Sequence, residues 1–394
     1  MIKILGNIFM SETINPKKYL DMMKDIQEKI LAFLEDECNC EENFQNLEKI
    51  INDTKIRDNQ NYFLSLLHLI LQIGNNHYRN TNFFDKIERI LQNYIIDIKK
   101  YFSNYQIFNI FKSNKRILLF LIEQQIIKFD ESIAKKITTT DKYIKFCYPQ
   151  YFQPEIQPFI NKKWFPKYNP LFYENNWIEE IEKELPENFY EKRKKGENDS
   201  QICELIRNCM ITKFIAFITK NNIQLNATIP VSIYETNSYL LKKQFYYNKE
   251  EEFTLIEYAT FCGSIQLFKY LKSENIEIKP SLLPLAIHGQ NTEIINMLED
   301  ENVKLNTESY KNGFFESIKC HHNYIAKYFL NNFLTKYEIN QQNIINQSLK
   351  YYNFDFLKNE HINKSSFFKL CKYDYGTLVE YILKSKDIDI NRYI

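Results

Sequence analysis

Glycine is nearly missing from this chain, with 7 in 394 residues. None of them forms a dinucleotide fingerprint or a phosphate loop, so nucleotide chemistry that depends on a glycine-rich cradle is excluded. An excess of one charge is also missing. Lys and Arg number 51 against 50 Asp and Glu, a formal net charge of +1. That balance argues against nucleic acid as the main partner, where a basic surplus is expected. The longest apolar run, 62–73, is too short to span a bilayer and contains Ser65 and His68, so no membrane partner is expected. Residues 2–9 are mildly apolar but lack a small-residue cleavage pattern. Met10 begins the more ordinary start MSETINPKK, and residues 1–9 read as an extension of the gene. With no secretion signal, the eight scattered cysteines fit reduced thiols and a cytoplasmic location, with the nucleus as the second choice. Metalloprotease, nucleophile-elbow and Ser/His/Asp patterns are absent. No enzyme, no catalytic residue and no cofactor is expected.

What is present is core-forming material. Hydrophobic residues make up 44% and aromatics 15%, with 31 Phe and 28 Tyr. Codon bias toward A and T accounts for the surplus of Phe, Tyr, Ile, Lys and Asn. In so Asn-rich a chain, triplets such as Asn52-Asp53-Thr54 are expected by chance. Period-two alternation is rare while helical spacing is common, so the fold class is all-α: a helical N-terminal domain followed by an α-solenoid.

The helical N-terminal domain is assigned to 1–146. Asn15 followed by Pro16 predicts a capped helix start. Tyr19, Met23, Ile26, Ile30 and Phe33 then trace one face. Further helices are predicted over 44–51, over 62–73, along Phe84, Ile87, Leu91, Tyr94 and Ile98, and over 116–129. Residues 147–195 change character. Six of ten prolines lie between Pro149 and Pro186, with both tryptophans, Trp164 and Trp177. Proline at that density predicts an extended strap, with a short helix near 177–185. Its interleaved aromatics, Tyr151, Phe152, Phe159, Trp164 and Phe172, predict that it packs on the helices. Stacking on single-stranded nucleic acid is the other use for such rings.

From 196 to 394 the sequence repeats itself. The segment 253–271, FTLIEYATFCGSIQLFKYL, reads as helix, glycine turn and helix. Such a unit cannot bury its apolar face alone. Thr254 is placed to cap, Ala259 is small where two helices approach, and Gly263 permits a left-handed turn. Later copies put Ala286, Ser317 and Ser348 in the slot of Ala259, at steps of 27, 31 and 31 residues. An incomplete first copy opens at GENDSQICELIRN, 196–208, with Phe214, Ile215 and Phe217 on its second helix. The last, LCKYDYGTLVEYIL, spans 370–383.

Thr254, Ile256 and Ala259 match the Thr, Leu and Ala of the ankyrin signature T-P-L-H-x-A, while Leu255 and Glu257 replace its Pro and His. On these segments, together with LLPLAIHGQNTEIINMLED and SIKCHHNYIAKY, the chain resembles protist ankyrin-repeat proteins whose upstream half is a helical domain of unknown function. The resemblance covers 190–394 well and 10–190 loosely. It implies an ankyrin-type solenoid and a non-enzymatic scaffold for an unknown protein partner. It implies no substrate. Residues two places after the small slot, Phe261, His288 and Lys319, are expected to face the concave binding groove. The competing expectation for these slots is contact with the next repeat.

Other clusters carry less chemistry. Cys320-His321-His322 stand at a helix end, where three adjacent side chains cannot face one metal, and no metal site is expected. Cys38-x-Cys40 reads as two free thiols, and the runs Glu250-Glu251-Glu252 and Glu179-Glu180 as solvated faces. The basic run 192–195 is either a solvated turn or, as the alternative function, the contact of a nuclear nucleic-acid-associated protein. The final second helix carries Leu378, Val379, Tyr381, Ile382 and Leu383, with Asp387–Asn391 as a further hairpin. Without another repeat to cover it, this end is expected to self-associate, or a longer natural product to supply the cap.

Overall fold

The computed structural model describes residues 15–38, 40–80, 82–140, 143, 147–165, 183–241, 252–300, 305–334 and 339–385. The expected gene extension at 1–9, the helix near 177, the acidic run at 250 and the hairpin at 387–391 lie wholly or largely outside these residues. Among the described residues the secondary structure is helical, apart from one isolated bridge between Thr228 and Thr254. None of these helices is long and apolar enough to cross a membrane.

The chain forms two compact units that do not follow the expected boundaries at 146/147 and 195/196. One unit joins the chain up to Gln92 with the chain from Lys304 onward, and the other is Asn93–Val303. The first therefore combines N-terminal helices with the last repeats, and the second joins the rest of the N-terminal half to the first repeats.

In the first unit the N-terminal helices are α1 (Pro16–Glu35), α2 (Cys40–Asp53), α3 (Gln60–Asn76) and α4 (Phe83–Gln92). The start of α1 is as the sequence predicts: Asn15 accepts from the Lys18 N–H, and Pro16 occupies the first turn. Its stripe of Tyr19, Met23, Ile26, Ile30 and Phe33 is buried. In the second unit follow α5 (Ile95–Tyr101), α6 (Asn104–Phe111), α7 (Lys115–Glu123) and α8 (Glu131–Thr139). Two expected helices are shorter than their apolar patterns. The pattern from Phe84 to Ile98 breaks between α4 and α5, with Tyr94 capping the second piece. The pattern over 116–129 stops at Glu123, because Gln125 turns left-handed (φ 53°) and Ile126 N–H returns to the Leu121 carbonyl at 2.8 Å.

The expected extended strap instead opens with short helical pieces and ends in a helix, with turns between where it is described. Tyr148–Tyr151 (α9), Gln153–Ile156 (α10) and a 3-10 turn at Gln157–Phe159 each carry proline in the first two positions. Proline has no N–H to lose there, so closely spaced prolines make successive short helices rather than a strand. Tyr151 and Phe152 are buried, as packing of the strap requires. The segment closes with α11 (Phe189–Lys195).

Over the expected repeats the helices are α12 (Gln201–Arg207) and α13 (Ile211–Lys220), α14 (Leu255–Phe261) and α15 (Ile265–Ser273), and α16 (Leu282–His288) and α17 (Thr292–Asp300), all in the second unit. The first unit holds α18 (Thr307–Cys320) with α19 (Asn323–Asn332), then α20 (Gln341–Tyr351), and α21 (Phe367–Lys372) with α22 (Gly376–Ser385). Thr254 caps α14 and Glu257 reaches back to the Thr254 N–H at 2.9 Å. The residue that departs from the ankyrin His thus completes a capping box.

One turn recurs throughout. Cys209, Gly263, Gln290, His321, Tyr352 and Asp374 all have positive φ, between 50° and 67°. After each, the next N–H bonds to the carbonyl of the residue five places earlier: Leu205, Ala259, Ala286, Ser317, Ser348 and Leu370. This is the Schellman closure; in four of the six the carbonyl belongs to a small residue, Ala259, Ala286, Ser317 or Ser348, and in the first and last to Leu205 and Leu370. Gly263 is the only glycine among the six. Ala259 and Ala286 are fully buried, and α14 packs on α16. Ser317 and Ser348 fill the same slot, each donating its hydroxyl to the carbonyl four residues back, at 2.9 and 2.8 Å.

The last helix is not bare. Leu378, Val379 and Ile382 are buried, and α3 packs against α22. A Cβ on Gly376 would stand 2.6 Å from Asn61 Oδ1, which shows how close this approach is. Of the expected self-association patch, these three residues are thus turned inward, while Tyr381 and Leu383 stay partly exposed.

Candidate functional site

The three positions expected to line a groove point inward. Phe261, His288 and Lys319 are 9%, 2% and 7% exposed. Phe261 stacks on His288, the same slot of the next repeat, with ring centroids 4.2 Å apart. Tyr258 and Tyr239 stack on Phe261 from other sides. Lys319 pairs with Glu316 at 2.7 Å. Burial alone would lower the Lys319 pKa, but the Glu316 carboxylate beside it holds it above the ordinary lysine value. These slots therefore supply packing between and within repeats. The physical reason is that Phe and His are large and flat enough to reach the neighbouring helix.

The basic run lies on α11 and is mostly committed. Arg193 is 3% exposed, donates to Glu155 at 2.8 Å and to the Tyr151 carbonyl at 3.2 Å, and lies over the Phe189 ring. Lys192 pairs with Asp199 at 3.0 Å. Lys194 and Lys195 point outward. Cys38 is exposed and Cys40 partly so, and neither is in a disulfide.

The adjacent residues Cys320, His321 and His322 diverge, as three neighbours at a helix end must. The Cys320 thiol lies 3.5 Å from Glu316, and burial pushes it well above its usual pKa. His321 is the left-handed turn residue, with Nε2 3.4 Å from the Tyr352 carbonyl. Burial, with His77 adding to it, lowers its pKa to about 3, so it is neutral at physiological pH. His322 caps α19 and lies against His77, ring centroids 4.9 Å apart.

His77 is the partner that sequence reasoning missed. It closes the C-terminus of α3, its N–H bonded to the Ile73 carbonyl. Its ring is 1% exposed. Nδ1 is 2.7 Å from the Cys320 carbonyl, and Nε2 is 3.1 Å from Oε1 of Glu35. Glu35 is the last residue of α1, and that helix end is pinned. The Leu34 carbonyl accepts from Lys86 Nζ at 3.0 Å and Asn80 Nδ2 at 2.9 Å, and the Asp36 carbonyl accepts from Lys86 at 2.8 Å. Three elements of the first unit thus bring together one carboxylate and two imidazoles, whose ligand atoms all lie within 4.8 Å of one another.

No family model matches the chain, and neither does any curated protein or solved structure.

Proposed function

We propose that the protein is a non-enzymatic protein-recognition scaffold whose repeat half is a degenerate ankyrin-type solenoid. The observation that carries this reading is the recurrent left-handed turn, which in four of its six occurrences stands four residues after a buried Ala or Ser. Self-similarity at a period near 30 residues is the mark of stacked repeats, which serve as binding surfaces. With Phe261, His288 and Lys319 used for packing, the recognition surface is assigned to α19. There Tyr324, 84% exposed, and Tyr328, one turn later, lie on the outer face. Tyrosines so placed are the residue type most often found at protein–protein hot spots. The partner is a protein, and the location remains cytoplasmic. The nuclear nucleic-acid alternative draws on α11, but the buried Arg193 leaves it only Lys194 and Lys195 pointing outward.

The test is affinity capture with the tagged full chain beside a Tyr324→Ala/Tyr328→Ala variant. A stoichiometric protein retained by the wild type and lost by the variant supports the reading. Retention of nucleic acid with a steep fall as salt rises would favour the alternative instead.

A further inference from the structure

We propose that Glu35, His77 and His322 form a binding site for a divalent transition-metal cation, with zinc as the metal, that ties three segments of the first unit together. The argument begins at His77. A carbonyl oxygen can only accept, so the 2.7 Å contact with Cys320 places the proton of His77 on Nδ1. In the neutral ring Nε2 is then a lone pair, and it faces a Glu35 oxygen at 3.1 Å. Two acceptors aimed at each other at that distance require a cation between or beside them. A proton on Nε2 would satisfy the pair alone. The second imidazole distinguishes the two: His322 brings a further ligand atom within 4.8 Å of both. Two imidazoles and a carboxylate are a donor set that zinc takes, at ~2.0–2.2 Å per bond.

The surroundings have the form such sites take. A ligating histidine commonly donates its other ring N–H to a backbone carbonyl, which fixes the tautomer and the ring plane. His77 does this through Cys320. The carboxylate is carried on a helix end held by Lys86 and Asn80. Both rings are buried, while the Glu35 side chain is 44% exposed, which gives the ion a path from solvent. Three protein ligands leave a fourth position for water. The segments joined are the end of α1, the end of α3 and the turn between α18 and α19, so the ion would act as a staple within this unit.

The experiment uses the full chain after dialysis against chelator. Calorimetric titration with ZnCl2 should give one equivalent bound, and the melting temperature should rise with Zn2+. Cobalt(II) should give the intense visible bands of a low-coordinate site, lost when Zn2+ is added. Glu35→Gln keeps the size of a half-exposed side chain and should leave the chain folded, its metal-free melting temperature serving as the baseline for the zinc-induced rise. It should weaken zinc by more than the ~10–100-fold that loss of an outer partner costs. His77→Gln should do the same, and Cys38→Ser/Cys40→Ser should leave binding intact. The proposal is overturned if the wild type shows no saturable binding, if Glu35→Gln binds as the wild type does, or if the cysteine pair carries the affinity.

Discussion

The repeat pairs of the two units use the same turn and finish their cores in opposite ways. In α14 to α17 the slot is alanine and the contacts between copies are apolar or aromatic, with Phe261 on His288. The polar links between them are an exposed ion pair, Lys269 with Glu293 at 2.5 Å, and a part-buried bond to backbone, Asn291 Nδ2 donating to the Gly263 carbonyl at 2.9 Å. In α18 and α20 the slot is serine, with Leu370 at that position in the last pair, and Asn353 organises a buried polar network. Its Nδ2 donates to the Ile318 carbonyl at 2.9 Å and to Asn323 Oδ1 at 2.7 Å, while Gln27 of α1 donates to its Oδ1 at 3.4 Å. Gln27 also accepts from the Phe354 N–H at 2.8 Å. A repeat series can therefore be closed by stacking like on like, or by enlisting a helix from elsewhere in the chain. The second route demands directional bonds, because the partner helix does not share the repeat's shape.

The largest effect expected from this contrast is at the alanine slot. Ala286→Arg, or Ala259→Arg, puts a long charged side chain where two helices touch, and overpacking with an unpaired buried charge costs ~3–5 kcal/mol. Ser317→Ala in the other unit should cost less than ~1 kcal/mol, since it removes one local back-bond and no helix contact. Chemical denaturation of the three variants checks the ranking. Equal losses at the two slots would mean that they are not equivalent positions.

Next comes Asn353→Ala, at ~2–3 kcal/mol, because it strands buried donors and acceptors on Gln27 and Asn323. Asn291→Ala, bonded at the repeat turn in a part-buried position, should cost nearer ~1 kcal/mol. If the two asparagines prove equal, the distinction between the two routes fails.

Much of the local architecture was legible. The face of α1, its Asn-Pro start and the Thr254 cap depend on neighbours within one or two turns, and periodicity reports those directly. The turns were legible at Gly263 from the residue itself and at His321 from its register with Gly263. Gln290 and Tyr352 adopt the same left-handed backbone, but side chains of their kind rarely do, so nothing in their identity announces it. The helical strap was misread because proline excludes a helix interior but not its first turn. The division into units and the cluster at His77 depend on contacts such as His77 with Cys320, 243 residues apart. No spacing rule reaches that far.

The turn itself supplies a paired test of smaller size. Gly263→Ala would hold a side chain at φ 67° and set its Cβ 2.8 Å from the Gly289 carbonyl oxygen. A left-handed non-glycine residue costs ~1–2 kcal/mol before that clash is counted. Gln290→Gly is the reverse exchange at an exposed copy with φ 51°, and should be neutral or stabilising by up to ~1 kcal/mol. Opposite signs in thermal melts would show that one backbone conformation, rather than one residue, defines the repeat.

The smallest effect separates the units by acid. Asp355, next to the Asn353 network, is 4% exposed and sits between Lys24 at 2.9 Å and Lys327 at 2.6 Å. Burial would raise its pKa, but the hydrogen bonds and charges of Lys327 and Lys24 outweigh that and hold the carboxyl below its ordinary value. A carboxylate whose folded pKa is depressed binds fewer protons in the native state than in the unfolded one. Its contribution is therefore complete above the ordinary aspartate range and is lost as pH falls through that range toward the lower folded value. Asp355→Asn should remove this part, so the variant's stability should fall less steeply than the wild type's over the same acid interval. The slope must also depend on the two lysines. Lys24→Met/Lys327→Met should leave Asp355 buried without a partner, raise its pKa, and make the acid loss begin at higher pH. Urea melts of the three proteins across that interval decide it, and identical slopes would mean that Asp355 gains nothing from its lysines.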